Sequence, residues 1–189
     1  PLACGMRLKL KRHEDSEGDA ATGVEVGLAW PAPGTLALTF VVTGDIGALK
    51  FPAAQPGVRT DELWRHTCLE AFVGQANGAS YYEFNLAPSS QWAAYSFGRY
   101  REGMAPVLEA GDPAISVDTG ARRFRLQATL NLGDLSDLDS HTTWRLALTA
   151  VIEQRDGLKS YWALAHPAGR PDFHHADGFS QILTPAERA

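Results

Sequence analysis

The residues best suited to chemistry lie in Trp64-Arg65-His66-Thr67-Cys68-Leu69-Glu70-Ala71-Phe72 and Tyr81-Tyr82-Glu83-Phe84-Asn85-Leu86-Ala87-Pro88. In an extended chain alternate side chains share a face, so His66, Cys68, Glu70 and Phe72 would line one side of a strand. Imidazole, thiolate and carboxylate are all zinc ligands, and a thiol beside an imidazole is the raw material of a nucleophile. Alternate residues of a strand lie roughly 6 to 7 Å apart, so either use requires groups from elsewhere. A Cys and a Phe buried beside satisfied polar groups is the plainer alternative. On the second segment Tyr82, Phe84 and Leu86 should face a core, leaving Tyr81, Glu83 and Asn85 opposite, near Glu70 and His66. Paired carboxylates at Glu70 and Glu83 would suit glycosidic acid/base chemistry, calcium, or hydrogen bonds from sugar hydroxyls.

Two further clusters extend the set. Gln91–Met104 mixes Trp92, Tyr95, Phe97 and Tyr100 with Arg99 and Arg101. Flat rings rimmed by hydrogen-bonding groups suit the stacking of sugar rings, although such rings are as readily core. Tyr161-Trp162-Ala163-Leu164-Ala165-His166-Pro167 leads into Arg170-Pro171-Asp172-Phe173-His174-His175, a loop stiffened by two prolines. Its polar groups could hold a metal, orient a ligand, or simply be solvated. No G-x-S-x-G elbow, H-E-x-x-H pair or glycine-rich phosphate loop is present.

The elements that must position these groups read as strands. Met6, Leu8 and Leu10 alternate with cations; Val24, Val26 and Leu28 alternate with Glu25, Gly27 and Ala29; Phe124, Leu126, Ala128 and Leu130 alternate with Arg123, Arg125, Gln127 and Thr129. Leu36–Val42, Thr67–Val73, Ser80–Ala87, Gln91–Phe97, Trp144–Ile152 and Leu158–Leu164 complete the main set, with a short strand near Phe179–Leu183. Asn77-Gly78 and Asp156-Gly157 mark hairpins. Leu132, Leu135 and Leu138 recur every third residue, which predicts a helical turn within Asn131–Ser140. About ten short strands with turn signals between them predict an all-β, single-domain antiparallel β-sandwich over residues 1–189.

Composition narrows the functions. The 189 residues carry a net charge of -5, against nucleic-acid binding through a strongly basic surface. No apolar run approaches the ~18 residues of a membrane span. Two cysteines, Cys4 and Cys68, are too few for a disulfide scaffold, though one bridge is open. The first ten residues lack a secretory apolar run, which places the expected location in the cytoplasm, unless the chain is a processed exported one.

The motifs W-x-H-T-C-L-E-A-F (Trp64–Phe72), Y-Y-E-F-N-L-A-P-S (Tyr81–Ser89), Y-R-x-G-M (Tyr100–Met104), Y-W-A-L-A-H-P (Tyr161–Pro167) and P-D-F-H-H (Pro171–His175) resemble bacterial DOMON-like proteins. That group is similar in turn to family-nine-type carbohydrate-binding modules. The resemblance spans nearly the whole chain and implies a jelly-roll-like sandwich with little helix, sugar or haem binding being known among its wider relatives. It aligns Glu70 and the Trp64 region with the family's E-x-F strand, and Tyr81–Asn85 with the following hairpin strand. Haem would need axial ligands; Met6 and Met104 are the only methionines, and no C-x-x-C-H motif occurs.

The leading expectation is therefore non-catalytic binding of a carbohydrate or similar polyhydroxylated ligand. Trp64, Tyr81, Trp92 and Trp162 would stack, while His66, Glu70, Glu83, Asn85, Arg99, Arg101 and His166 would supply polar contacts. The competing expectation is a metal-dependent enzyme, such as a hydrolase, built on His66, Glu70, His166, His174 and His175. A haem site and a protein-interaction domain rank below. Cofactor and oligomeric state are not specified by the sequence.

Overall fold

The computed structural model describes residues 5–188, so a Cys4–Cys68 bridge lies outside the described residues. Two antiparallel sheets pack face to face. The first contains β1 (Met6–Arg12), β2 (Ala21–Ala32), β3 (Thr35–Gly44), β8 (Ala114–Thr119) and β9 (Arg123–Asn131), in the order β1-β2-β3-β9-β8. The second contains β4 (Cys68–Gln75), β5 (Tyr81–Leu86), β6 (Trp92–Phe97), β7 (Ala105–Pro106), β10 (Trp144–Glu153) and β11 (Lys159–Ala163), in the order β7-β6-β5-β4-β10-β11. A short β12 (Gln181–Leu183) pairs with the start of β10. Strand β1 joins the layers: Met6–Leu10 pair with β2, while Lys11 and Arg12 pair with β11.

Alternation accounts for the first sheet. Phe124, Leu126, Ala128 and Leu130 are buried, while the arginines and polar residues between them remain partly or fully exposed. Strand β3 repeats the pattern through Leu36, Leu38, Phe40 and Val42. These side chains meet Leu69, Phe84, Leu148 and Ile152 of the second sheet in one core. Trp144 closes one end: its indole N–H donates to the Asp139 carbonyl at 2.8 Å, and the Arg188 guanidinium lies 3.6 Å from its ring centre.

Both sequence-marked hairpins form. At the second, Gly157 takes φ 90°, and Gln154 N–H donates to the Leu158 carbonyl at 2.8 Å. The expected helical turn at Asn131–Ser140 is instead a run of tight turns. Leu135 N–H donates to Leu132 O and Leu138 N–H to Leu135 O, so the three-residue repeat buries all three leucines without a helix. The short β7 and the edge strand β8 have little apolar signal and were not expected from the pattern. No helix among the described residues is long and apolar enough to cross a membrane.

The second sheet departs from simple alternation. Nearly every residue of β4, β5, β6 and β10 is buried, on both faces. Its outer face is covered by the 3-10 turn Leu63–Arg65, by the hairpin after β6, and by the long segment after β11.

Candidate functional site

Register brings the chemistry together on that outer face. Glu70 pairs with Asn85 and Phe72 with Glu83, which makes Glu70 and Glu83 diagonal neighbours across β4 and β5. Thr149 of β10 lies opposite Glu70 on the other side. Phe72, Tyr81, Tyr95, Phe97 and Phe179 form a second apolar cluster here, with Leu63 and Phe173 packed against it.

Between this cluster and the covering loops runs a cleft of about 380 Å³, within the ~300–1,000 Å³ usual for ligand pockets. Glu70 and Glu83 lie on its floor. Trp64, Tyr161, Phe173 and Met104 give it apolar walls, and Arg101 and His174 complete the polar lining. Trp64 is 36% exposed and its ring stands edge-on to Tyr95 at 6.0 Å; the Tyr95 hydroxyl donates to Asp61 at 2.6 Å, bracing the turn that presents it.

The two carboxyls are almost wholly buried, at 2% and 5% exposure. Thr149 Oγ1–H donates to Glu70 Oε2 at 2.9 Å, and Asn85 Nδ2–H donates to Glu83 Oε1 at 3.0 Å. Among the described residues no Lys or Arg forms a salt bridge with either; the nearest basic group is His174 Nε2, 3.7 Å from Glu83 Oε2. Burial, then the neighbouring Glu83 charge, raises Glu70 from 4.5 to about 8. Burial raises Glu83 from 4.5 to about 7 against the opposing pull of Asn85 and Arg101. Near neutral pH the pair therefore holds a proton, because two adjacent buried carboxylates cannot both stay ionised cheaply. The Asn85 Oδ1 atom beside them is buried without a hydrogen-bond donor among the described residues.

His174 is kept neutral. Its ring lies 5.2 Å from Phe72 and 5.0 Å from Phe97, and burial together with the Arg101 charge lowers its pKa to about 4. The Tyr81 hydroxyl accepts the Arg101 backbone N–H at 3.2 Å and lies 2.8 Å from His174 Nδ1. Tyr81 can donate its own proton to Nδ1, an arrangement that leaves the imidazole proton on Nε2, facing Glu83. Above the cleft, Asp172 clasps two loops: it accepts from Tyr100 at 2.5 Å, Arg101 at 2.8 Å and the His174 backbone at 3.1 Å. Arg101 takes a left-handed backbone at φ 53° to reach it.

Of the sequence-predicted residues, Trp64, Glu70, Glu83 and Arg101 meet at the cleft, with Tyr81 and Asn85 hydrogen-bonded to lining groups. The others lie elsewhere. Trp92, 2% exposed, is in the core between the sheets with the Arg59 guanidinium 4.5 Å from its ring, and Trp162, 4% exposed, is in the same core with its N–H donated to Ser160. Neither indole presents a free face for stacking. His66 precedes β4 and turns to Glu153, its Nδ1 2.7 Å from the carboxylate, beside a separate hollow. Arg99 pairs with Glu102 on an exposed hairpin, and His166 Nε2 meets the Lys11 carbonyl at 2.8 Å.

The metal and nucleophile readings find no support. Among the described residues no three His, Cys, Asp or Glu side chains gather as a metal site, and His175 caps a turn by accepting from Asp177 N–H. Burial and the charges of Glu70 and Glu83 push the Cys68 thiol up, so it stays protonated and unreactive. Tyr161, Phe173 and Thr149 were missed as site residues. Tyr161 was recoverable, since an inward Trp162 requires its neighbour to face outward.

A second hollow, about 720 Å³, lies over the outer face of the first sheet, floored by Gly27, Ala37 and Thr39 and edged by Arg123 and Arg125. It contains no aromatic residue.

No protein-family profile and no curated protein sequence matches the chain. Solved structures share its fold, two of them as follows. A Bacteroides uniformis protein, provisionally described as carbohydrate-binding, superposes with a TM-score of 0.65 at 14% identity, over 92% of this chain and 84% of that one. A family 9 carbohydrate-binding module from Caldicellulosiruptor kristjanssonii, in complex with cellotriose, superposes with a TM-score of 0.50 at 12% identity, over 86% and 75%. The chain is thus a β-sandwich of the kind those proteins adopt.

Proposed function

We propose that this chain binds a carbohydrate or similar polyhydroxylated ligand in the cleft over β4, β5 and β10, a reading that by itself requires no catalysis. The observation that carries the reading is the make-up of that cleft. It joins a partly exposed indole and two further aromatic walls to a floor of hydrogen-bonding groups that, among the described residues, form no salt bridge with Lys or Arg. A sugar ring has an apolar face for Trp64 and a rim of hydroxyls for Glu70, Glu83 and Arg101. A protonated carboxyl both donates and accepts, so it matches a hydroxyl in either role. The shared fold with two proteins described as carbohydrate-binding supports the reading, as does the motif likeness to DOMON-like proteins.

Calorimetric titration against a panel of mono- and oligosaccharides tests it. Saturable heat for at least one neutral sugar is expected, with affinity reduced about tenfold or more in Trp64→Ala, a loss of about 1.4 kcal/mol. No saturation by any member, or unchanged affinity in Trp64→Ala, would overturn it.

A further inference from the structure

A non-catalytic sugar site has no need of two adjacent buried acids, and neutral amides would make comparable hydrogen bonds. Glu70 and Glu83 are held differently from paired structural carboxylates. Thr149 fixes one oxygen of Glu70 and Asn85 fixes one oxygen of Glu83. Beyond these bonds and the Cys68 thiol, which also hydrogen-bonds Glu70, neither carboxyl has a further hydrogen bond among the described residues, and neither is sealed as a buried orphan. Both residues line the same cleft.

Their placement discriminates among acid/base reactions. Glycoside hydrolysis needs carboxyls that flank the scissile bond. Here both acids rise side by side from one sheet face, as diagonal neighbours on adjacent strands. Side-by-side groups suit two oxygens on the same carbon. In a free aldose those are the anomeric hydroxyl and the ring oxygen, both bonded to C1.

We propose that Glu70 and Glu83 catalyse ring opening and closing of an aldose held in the cleft, interconverting its α and β anomers. The inference rests on the carbohydrate reading above. The ionised member of the pair takes the proton of the anomeric hydroxyl. The protonated member gives its proton to the ring oxygen as the C1–O bond breaks, and the electron pair of the former O–H bond forms the C1 carbonyl. Rotation about C1–C2 and closure with the two roles exchanged yields the other anomer. No oxidant, water or metal is consumed.

The surroundings fit one shared proton. Arg101 draws on Glu83 without forming a salt bridge, Cys68 stays a neutral thiol, and Asp172 is occupied by Tyr100 and Arg101. His174 lies 3.7 Å from Glu83, with Tyr81 behind it, and closes the cleft on that side.

Polarimetry on freshly dissolved α-D-glucose, α-D-galactose and α-D-xylose in dilute, non-phosphate buffer tests the step, with calorimetry on the same sugars. The expected result is mutarotation faster than buffer in proportion to protein for an aldose that binds. Compared at sugar concentrations that saturate each variant by calorimetry, Glu83→Gln and Glu70→Gln should each lose about 10²-fold or more of that acceleration, the scale of a general acid or base. Binding without acceleration, or acceleration retained in both Gln variants, would overturn this inference and leave the binding reading intact. No binding by any sugar of the wider panel would overturn both.

Discussion

The two sheets of this sandwich bury their inner faces alike and treat their outer faces oppositely. The outer face of the first sheet is half wet, with Arg, Thr, Ala and Gly residues alternating against the core residues. That of the second is roofed by three loops, and an aromatic layer and two buried carboxyls that share a proton lie beneath the roof. A face that only closes a core needs one apolar row per strand. Burying ionisable groups beneath a second apolar layer carries a desolvation cost that a face serving only to close the core avoids.

The largest expected effect tests that second layer. Phe72 lies on the outside of its sheet yet is fully buried, so Phe72→Ala should lower unfolding free energy by about 3–5 kcal/mol, as for a core phenylalanine. Gln127→Ala on the other outer face should change it by less than about 0.5 kcal/mol. Urea denaturation of both variants checks the contrast, and comparable losses would erase it.

Next comes pH. Carboxyls whose folded pKa is raised contribute stability that is present below 4.5 and lost as pH rises through their folded values, about 7 and about 8. His174, lowered to about 4 from 6.5, acts in the opposite sense, its contribution growing between those values. Above 6.5 only the carboxyl effect remains. Wild-type stability should therefore fall between pH 6.5 and 8, and Glu83→Gln should flatten that fall, read from denaturation midpoints. A wild-type midpoint rising over that range would contradict the shared proton.

How much of this was legible follows from physical pattern. Alternation in β9 and β3 marks the first sheet, because one wet face makes polar residues necessary. It also put Glu70 with Phe72, and Glu83 with Tyr81 and Asn85, on the same faces. It failed at Trp92-Ala93-Ala94-Tyr95, where both faces are apolar and no residue sets the phase. It failed at His66 because β4 begins only at Cys68, so the histidine escapes the strand's periodicity. The roof around Pro171–Phe173 has no period at all, and its placement depends on the Asp172 clasp with residues some seventy positions earlier.

The smallest effect concerns a residue that sequence placed at the site. Arg99→Ala removes an exposed pair with Glu102, and should change stability by less than about 0.5 kcal/mol and leave sugar affinity unaltered. Arg101→Ala, which breaks the clasp, should weaken binding in the same titration.

The contrast between the two faces is tested most directly by amide NMR during titration with a saturating sugar. Shift changes should concentrate around Trp64, Arg101, Tyr161 and His174, over the roofed face. Changes confined to Gly27, Thr39 and Arg125, over the open one, would contradict the account.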